Sequence, residues 1–150
     1  MSKYRFKSDE RVAFSYGGTD GYGTIVGVAT TEVPILGVFY IINVLKSNKE
    51  LPNDEYPFTT IAMPEIGMLR LKFGKVEQIE EIFVVPILLG DHPICYVKQQ
   101  YVSALRQMPT PERTIHTAQW AKEIFDTSEL PTTVTLAHLH ALLRFEIDKF

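Results

Sequence analysis

The stretch YGGTDGYGTIVG, residues 16–27, decides how the first half of the chain folds. It carries five glycines in twelve residues, which suits either a phosphate-binding loop or a turn between two strands. A Walker loop requires Lys-Ser or Lys-Thr after its glycines, and neither follows here. A Rossmann loop requires a helix at that point, whereas Thr24-Ile25-Val26 favours a strand. The stretch therefore predicts a turn and not a phosphate cradle.

The residues around the glycines predict the two strands of a β-hairpin. Residues 11–16 alternate between apolar and polar side chains, as a half-buried strand does. Residues 17–21 predict a loop of about five residues that contains at least one glycine at positive φ. The chain then returns along residues 22–29, where Gly23 and Gly27 are expected to lie in a coiled strand with little room for a side chain.

Further strands follow in the first half of the chain. The β-branched and aromatic runs at residues 37–44, 58–63 and 68–73 are typical of short strands. Five or six such strands within about 75 residues indicate a small antiparallel β-barrel and not an open α/β sheet.

The second half predicts one strand and then about three helices. Residues 76–89 are ambiguous, because Val76, Ile79, Ile82 and Phe83 have helical spacing. The apolar run over residues 81–88 favours a strand, and Pro86 indicates that it lies at a sheet edge. Beyond Gly90 the apolar residues recur at helical spacing. The three helical stripes consist of Ile94, Val97, Tyr101, Leu105 and Met108; Ile115, Ala118, Ala121 and Phe125; and Leu136, Leu139, Leu143 and Ile147. We therefore expect an α+β fold in which a β-barrel over residues 1–75 packs with a strand and helices over residues 76–150 as one compact unit.

The order of these segments resembles the SH3-like barrels of the KOW and Tudor type. Residues 11–14, the glycine loop, residues 23–28 and residues 39–42 follow one another as the opening strands of those barrels do, with a glycine-bearing turn before the return strand. Residues 61–69 are similar to the closing strands of small phage-encoded barrels of that shape. The resemblance covers residues 4–73 and implies an N-terminal SH3-like β-barrel. It also suggests a phage or mobile-element accessory factor as one origin of the chain.

The composition argues against several classes of protein. The chain has 150 residues, of which 45% are hydrophobic and 22% are charged, so it can form a core. It has no run of about eighteen apolar residues for a membrane helix, and its first ten residues lack the apolar centre of a secretory signal. The single cysteine, Cys95, excludes an internal disulfide, and the net charge of −3 does not indicate a nucleic-acid partner. We therefore expect a cytoplasmic protein without membrane association.

The residues that could carry chemistry do not form a known catalytic or metal-binding pattern. His138 and His140 would point about 200° apart on a helix, so they could not share one ion, and we expect one at the surface and one at a packing boundary. His92 and Cys95 lie three positions apart but lack two clear companion ligands. The bulky neighbours of Cys95 fit a buried thiol better than a nucleophile. We therefore expect no enzymatic activity, no metal and no cofactor.

A basic strand face is one candidate binding surface. Strands over residues 3–7 and 68–73 would place cations on an outer face and aromatic side chains such as Tyr4 and Phe6 in the core. If the first and last barrel strands pair, five cations share that face and could follow a phosphate backbone. The alternative is a solvated face whose charges deter aggregation. The five basic residues are Lys3, Arg5, Lys7, Arg70 and Lys72.

Apolar loops are the other candidate surface. They could hold a segment of a partner protein, or they could pack under the C-terminal helices. The residues concerned are Val33, Pro34, Ile35, Leu36, Tyr56 and Phe58. The leading hypothesis is a small non-enzymatic binding protein that docks another macromolecule, with a protein as the expected partner. A nucleic-acid-binding protein that uses the basic face is the alternative, and a small-molecule or nucleotide binder is the third. The oligomeric state stays open.

Overall fold

The computed structural model describes residues 4–48 and 59–149, and in them the chain is α+β, with three α-helices and two antiparallel sheets. The first sheet has the strand order β4-β3-β2-β1-β5, and a short 3₁₀ turn, Glu65–Gly67, precedes β5. Its strands are β1 (Arg11–Tyr16), β2 (Thr19–Val33), β3 (Gly37–Ser47), β4 (Thr59–Pro64) and β5 (Met68–Leu69).

The second sheet and the helices follow directly. In this sheet β8 pairs with β6 and β7 on one side and with β9 on the other. The elements are β6 (Leu71–Phe73), β7 (Glu77–Ile79), β8 (Ile82–Leu89), β9 (His92–Lys98), α1 (Gln99–Gln107), α2 (Thr110–Thr127) and α3 (Leu136–Asp148). None of the helices in the described part of the chain is long and apolar enough to span a membrane.

The glycine stretch forms the predicted hairpin with a shorter loop. Gly17 and Gly18 have φ of 61° and 82°, the positive values that a two-residue type I′ turn requires. The loop is two residues long because Tyr16 already pairs with Thr19. At Gly23 a Cβ would lie 2.5 Å from the carbonyl oxygen of Asn43, so the expected lack of room is confirmed there. At Gly27 the expectation is wrong, because no atom lies within 4 Å of the position of a Cβ.

The prediction that Pro86 marks an edge strand is wrong, because β8 is the central strand of its sheet. The carbonyl oxygen of Pro86 accepts a hydrogen bond of 2.8 Å from the amide of Gly74, which lies between β6 and β7. The N–H and C=O groups of one strand residue point to the same side, so the N–H that proline lacks would face this gap. The central strand therefore tolerates proline where one neighbouring strand has ended and the next has not begun.

The predicted helix from residue 91 is wrong over its first part. Residues His92–Lys98 form β9, which pairs with β8 through Val85 and Val97, and α1 begins only at Gln99. Pairing with β8 buries Val97, which is 4% exposed. The other two helices are confirmed, although Ile115 of the predicted α2 stripe is 58% exposed.

The segment before β1 also differs from the prediction. Residues 4–10 form no strand. Phe6 is nevertheless buried, and its ring meets the ring of Tyr40 edge-on with centroids 5.4 Å apart. The Tyr40 hydroxyl accepts hydrogen bonds from the amides of Arg5 and Phe6, at 3.0 and 3.2 Å. One buried tyrosine thus anchors the segment in place of strand pairing.

Two apolar clusters hold the fold together. One lies within the first sheet and includes Phe14, Tyr40 and Ile42. The other joins the second sheet to the helices and also takes in Ala13 and Tyr22 from the first sheet. Because β1 and β2 contribute to both clusters, the helices pack against the first sheet as well as the second.

Candidate functional site

The turn between β2 and β3 exposes an apolar side chain almost completely. Ile35 is 93% exposed and has a φ of 71°. Its neighbour Pro34 is also exposed, while Val33 and Leu36 are half-buried. The alternative prediction for this loop, packing under the C-terminal helices, therefore does not hold for Ile35.

This turn is anchored to the segment between β4 and β5. The carboxylate of Glu65 accepts a hydrogen bond of 3.2 Å from the amide of Val38. The amide of Ile66 donates to the carbonyl oxygen of Leu36 at 3.4 Å. The side chain of Ile66 is 54% exposed and adds apolar surface beside the turn. We refer to Val33, Pro34, Ile35, Leu36 and Ile66 together as the apolar tip. Tyr56 and Phe58, the other predicted members of the protein-binding surface, lie outside the described residues.

Arg70, one of the predicted phosphate-binding residues, is engaged within the molecule. Its Nε donates to the carboxylate of Glu10 at 2.5 Å, its terminal N–H donates to the carbonyl oxygen of Arg5, and its guanidinium lies 4.4 Å from the centroid of the Phe6 ring. Burial raises the pKa of Glu10, but the hydrogen bonds from Arg70 and from the amide of Lys7 outweigh it, and the net pKa is lowered. Arg70 therefore fixes the segment before β1 to the junction of the two sheets.

The other basic residues do not form the predicted strand face. Arg5 and Lys7 are exposed, but they lie in the segment that forms no strand. Lys72 is exposed on β6 of the second sheet, at 4.0 Å from Asp91. Because residues 4–10 form no strand, the expected strand before β1 does not pair with the last strand, and β5 pairs with β1 instead. Lys3 lies outside the described residues. Binding of nucleic acid by these residues stays a prediction.

A cleft of about 740 Å³ lies between the two sheets and the helices, and the sequence patterns did not indicate it. Tyr22 of β2 lines it, with Val85 of β8 and Val102 of α1. The hydroxyl of Tyr22 donates to the carbonyl oxygen of Leu71 at 2.7 Å, and its ring stacks on that of Phe145 with centroids 4.9 Å apart. Burial raises the pKa of Tyr22, and the nearby charge of Glu146 raises it further, while that of Arg11 lowers it.

Charged side chains also line the cleft, among them Arg106, Glu146 and Lys149. The carboxylate of Glu146 lies 2.9 Å from Lys149 and 3.9 Å from Arg106. The guanidinium of Arg106 also donates two hydrogen bonds, of 3.2 and 3.0 Å, to the backbone carbonyl oxygen of Glu146. Burial lowers the pKa of Arg106, although the charge of Glu146 opposes this. Arg11 lies 5.2 Å from the centroid of the Phe145 ring, and within residues 4–48 and 59–149 it forms no ion pair with a carboxylate.

The histidine and cysteine side chains have structural surroundings. His138, expected at the surface or a packing boundary, is only 4% exposed. Its Nε2 donates to the carbonyl oxygen of Gly67 at 3.0 Å and its Nδ1 accepts from the amide of Thr135 at 3.3 Å, which defines a neutral ring. Burial lowers the pKa of His138 and raises that of the Cys95 thiol to about 11. Within the described part of the chain no three His, Cys, Asp or Glu side chains cluster as metal ligands would.

No family model matches the chain, and comparison with curated proteins and with solved structures gives no significant match.

Proposed function

We propose that this chain is a non-enzymatic binding protein that docks a partner protein through the apolar tip. The observation that carries the proposal is Ile35, a large β-branched side chain that is 93% exposed at a φ of 71°. Left-handed backbone conformation costs about 1–2 kcal/mol for a residue with a Cβ, and the cost is greatest for β-branched residues. Exposure of the side chain returns no burial energy that would offset this cost. Isoleucine at position 35 therefore does not stabilise the folded chain by itself, whereas burial of its side chain against a partner would stabilise the complex.

The tip is also held in one place, which favours binding. The contacts from Glu65 and Ile66 fix the turn to the segment before β5, so less conformational entropy is lost when a partner binds. Val33–Leu36 contains no charged residue, so no charge has to be desolvated within those four residues.

We also infer that the first sheet is an SH3-like barrel. The order β4-β3-β2-β1-β5 with a 3₁₀ turn before β5 supports this, because the last strand of the sheet along the chain, β5, pairs with the first, β1. The apolar cluster to which all five strands contribute a side chain supports it as well. Barrels of this kind commonly serve as binding modules, although the fold alone does not define a partner.

A substitution that separates stability from binding tests the proposal. Asparagine tolerates the left-handed region, so Ile35→Asn should leave the free energy of unfolding unchanged or raise it by up to about 1 kcal/mol. The same variant should lose partner proteins that the parent retains when both are used as bait in nuclease-treated lysate. Ile115→Asn is the matched control, since Ile115 is 58% exposed on α2 and is not part of the apolar tip. Equal recovery of partners by the two variants would contradict the proposal, and loss of all partners on nuclease treatment would favour a nucleic-acid partner instead.

A further inference from the structure

We propose that the cleft between the two sheets and the helices binds a small organic anion, namely a carboxylate or phosphate group carried on an apolar body. This site is separate from the apolar tip and does not depend on the protein-docking role. It is formed by residues of β1, β2, β6, β8, α1 and α3 and of the segments that connect the strands.

The charge of the cleft favours an anion. Five basic residues and four acidic ones line it, namely Arg11, Arg70, Lys72, Arg106 and Lys149 against Asp9, Glu10, Asp91 and Glu146. Arg70 pairs with Glu10, Lys72 lies 4.0 Å from Asp91, and Glu146 lies beside Lys149 and Arg106. Glu146 forms ion pairs with Lys149 and Arg106, so its charge is balanced without a ligand. Arg11 stacks on Phe145, and among the described residues its N–H groups have no carboxylate partner. A guanidinium in this state offers the paired donors that carboxylate and phosphate groups accept.

The beginning of α1 adds to this preference. Gln99, the first residue of α1, lines the cleft. The residue before it, Lys98, provides no side-chain cap, and the first turn of the helix contains no acidic residue. The first N–H groups of a helix carry partial positive charge and need acceptors. An anion beside Gln99 would supply such an acceptor.

The remaining walls fit an apolar body. Val85 and Val102 are buried side chains that line the cleft, and Phe73 lies half-buried beside them. The volume of about 740 Å³ falls within the range of roughly 300–1,000 Å³ that small-molecule sites occupy. A molecule with one charged end and one flat apolar end would therefore satisfy both parts of the site.

The test uses simple probes and the whole chain. Benzoate and phenyl phosphate represent the two anionic groups on one apolar body, benzyl alcohol is the neutral control, and inorganic phosphate tests the anion alone. Titration followed by ¹⁵N NMR at low salt should shift the amides of Gly74, Gly90 and Gln99, which line the cleft. Comparison of benzoate with phenyl phosphate then shows which anionic group the cleft prefers.

Arg11→Gln tests the residue on which the proposal depends. It should weaken binding of the preferred anion about tenfold or more, as expected for loss of a charge-assisted hydrogen bond. Arg144→Gln is the matched control, because Arg144 lies outside the cleft and donates to the carbonyl oxygen of Ser47, and it should bind as the parent does. The proposal is overturned if neither anion shifts these amides, if benzyl alcohol binds as well as the anions, or if Arg11→Gln has no effect. Binding of inorganic phosphate alone, with no gain from the phenyl group, would overturn the apolar part of the site.

Discussion

Replacement of Tyr22 by phenylalanine tests how the two sheets are joined. The Tyr22 hydroxyl lies in β2 of the first sheet and donates at 2.7 Å to the carbonyl oxygen of Leu71 in β6 of the second. Tyr22 is 1% exposed, so this hydrogen bond is largely shielded from bulk water. Phenylalanine would keep the ring stacked on Phe145 and remove only the hydrogen bond. We expect the free energy of unfolding to fall by about 1–2 kcal/mol, since a buried carbonyl group loses its partner.

The assay is urea unfolding of Tyr22→Phe and the parent, followed by circular dichroism, with thermal unfolding as a second measure. The expected loss corresponds to a Tm lower by roughly 2–8 °C for a chain of this size. Tyr96→Phe is the control, because Tyr96 is 50% exposed and its replacement should cost little. If Tyr22→Phe is as stable as the parent, the hydrogen bond between the sheets does not contribute and the reasoning fails.

Two further substitutions test the close approach of β2 to β3 and the buried histidine. Gly23→Ala should lower the free energy of unfolding by about 1–3 kcal/mol in urea, because its Cβ would meet the carbonyl oxygen of Asn43, whereas Gly27→Ala, in open space, should not lower it. Burial lowers the pKa of His138 below 6.5 in the folded chain. The contribution of its neutral ring to stability should therefore be complete above pH 6.5 and decline as the pH falls below this value. Unfolding measured from pH 8 to pH 5 should show the decline, and the decline should be smaller in His138→Gln.

The first half of the fold was largely predictable because its signals are local. Gly17 and Gly18 supply positive φ without steric cost, and alternation on both sides of them specifies which faces of β1 and β2 are buried. The segment before β1 was not predictable in this way. Its alternation of basic and aromatic residues imitates a strand, but Tyr40 and Arg70, distant in sequence, hold it in a different conformation.

The error at β9 also has a physical reason. Ile94 and Val97 lie at helical spacing from Tyr101. In the structure Val97 is buried by pairing with Val85 of β8, and this pairing cannot be recognised from the sequence of the segment alone. A local signal was nevertheless present. Gly90 followed by Asp91 between two apolar runs is typical of a two-residue hairpin turn, and Gly90 has the positive φ, 64°, that this turn requires.

The cleft could not be predicted from the sequence at all. Its basic residues come from positions as distant as Arg11, Arg106 and Lys149, and no spacing pattern connects them. The apolar tip was predicted in part, because Val33–Leu36 is an apolar run between two strands. The contribution of Ile66 was not, since it depends on contact between two turns that are about thirty residues apart in the chain.

The most direct measurement of the central claim places a photo-crosslinking amino acid at position 35 and, in a second version of the chain, at position 115. Both native residues are exposed isoleucines, so either replacement leaves the core intact. Illumination in cell lysate should join position 35 to a discrete protein, which mass spectrometry identifies, and purified parent chain should compete with this adduct while Ile35→Asn should not. Position 115 should give no such adduct. The account is contradicted if position 35 gives no protein adduct, or if both positions give the same adducts and Ile35→Asn competes as well as the parent.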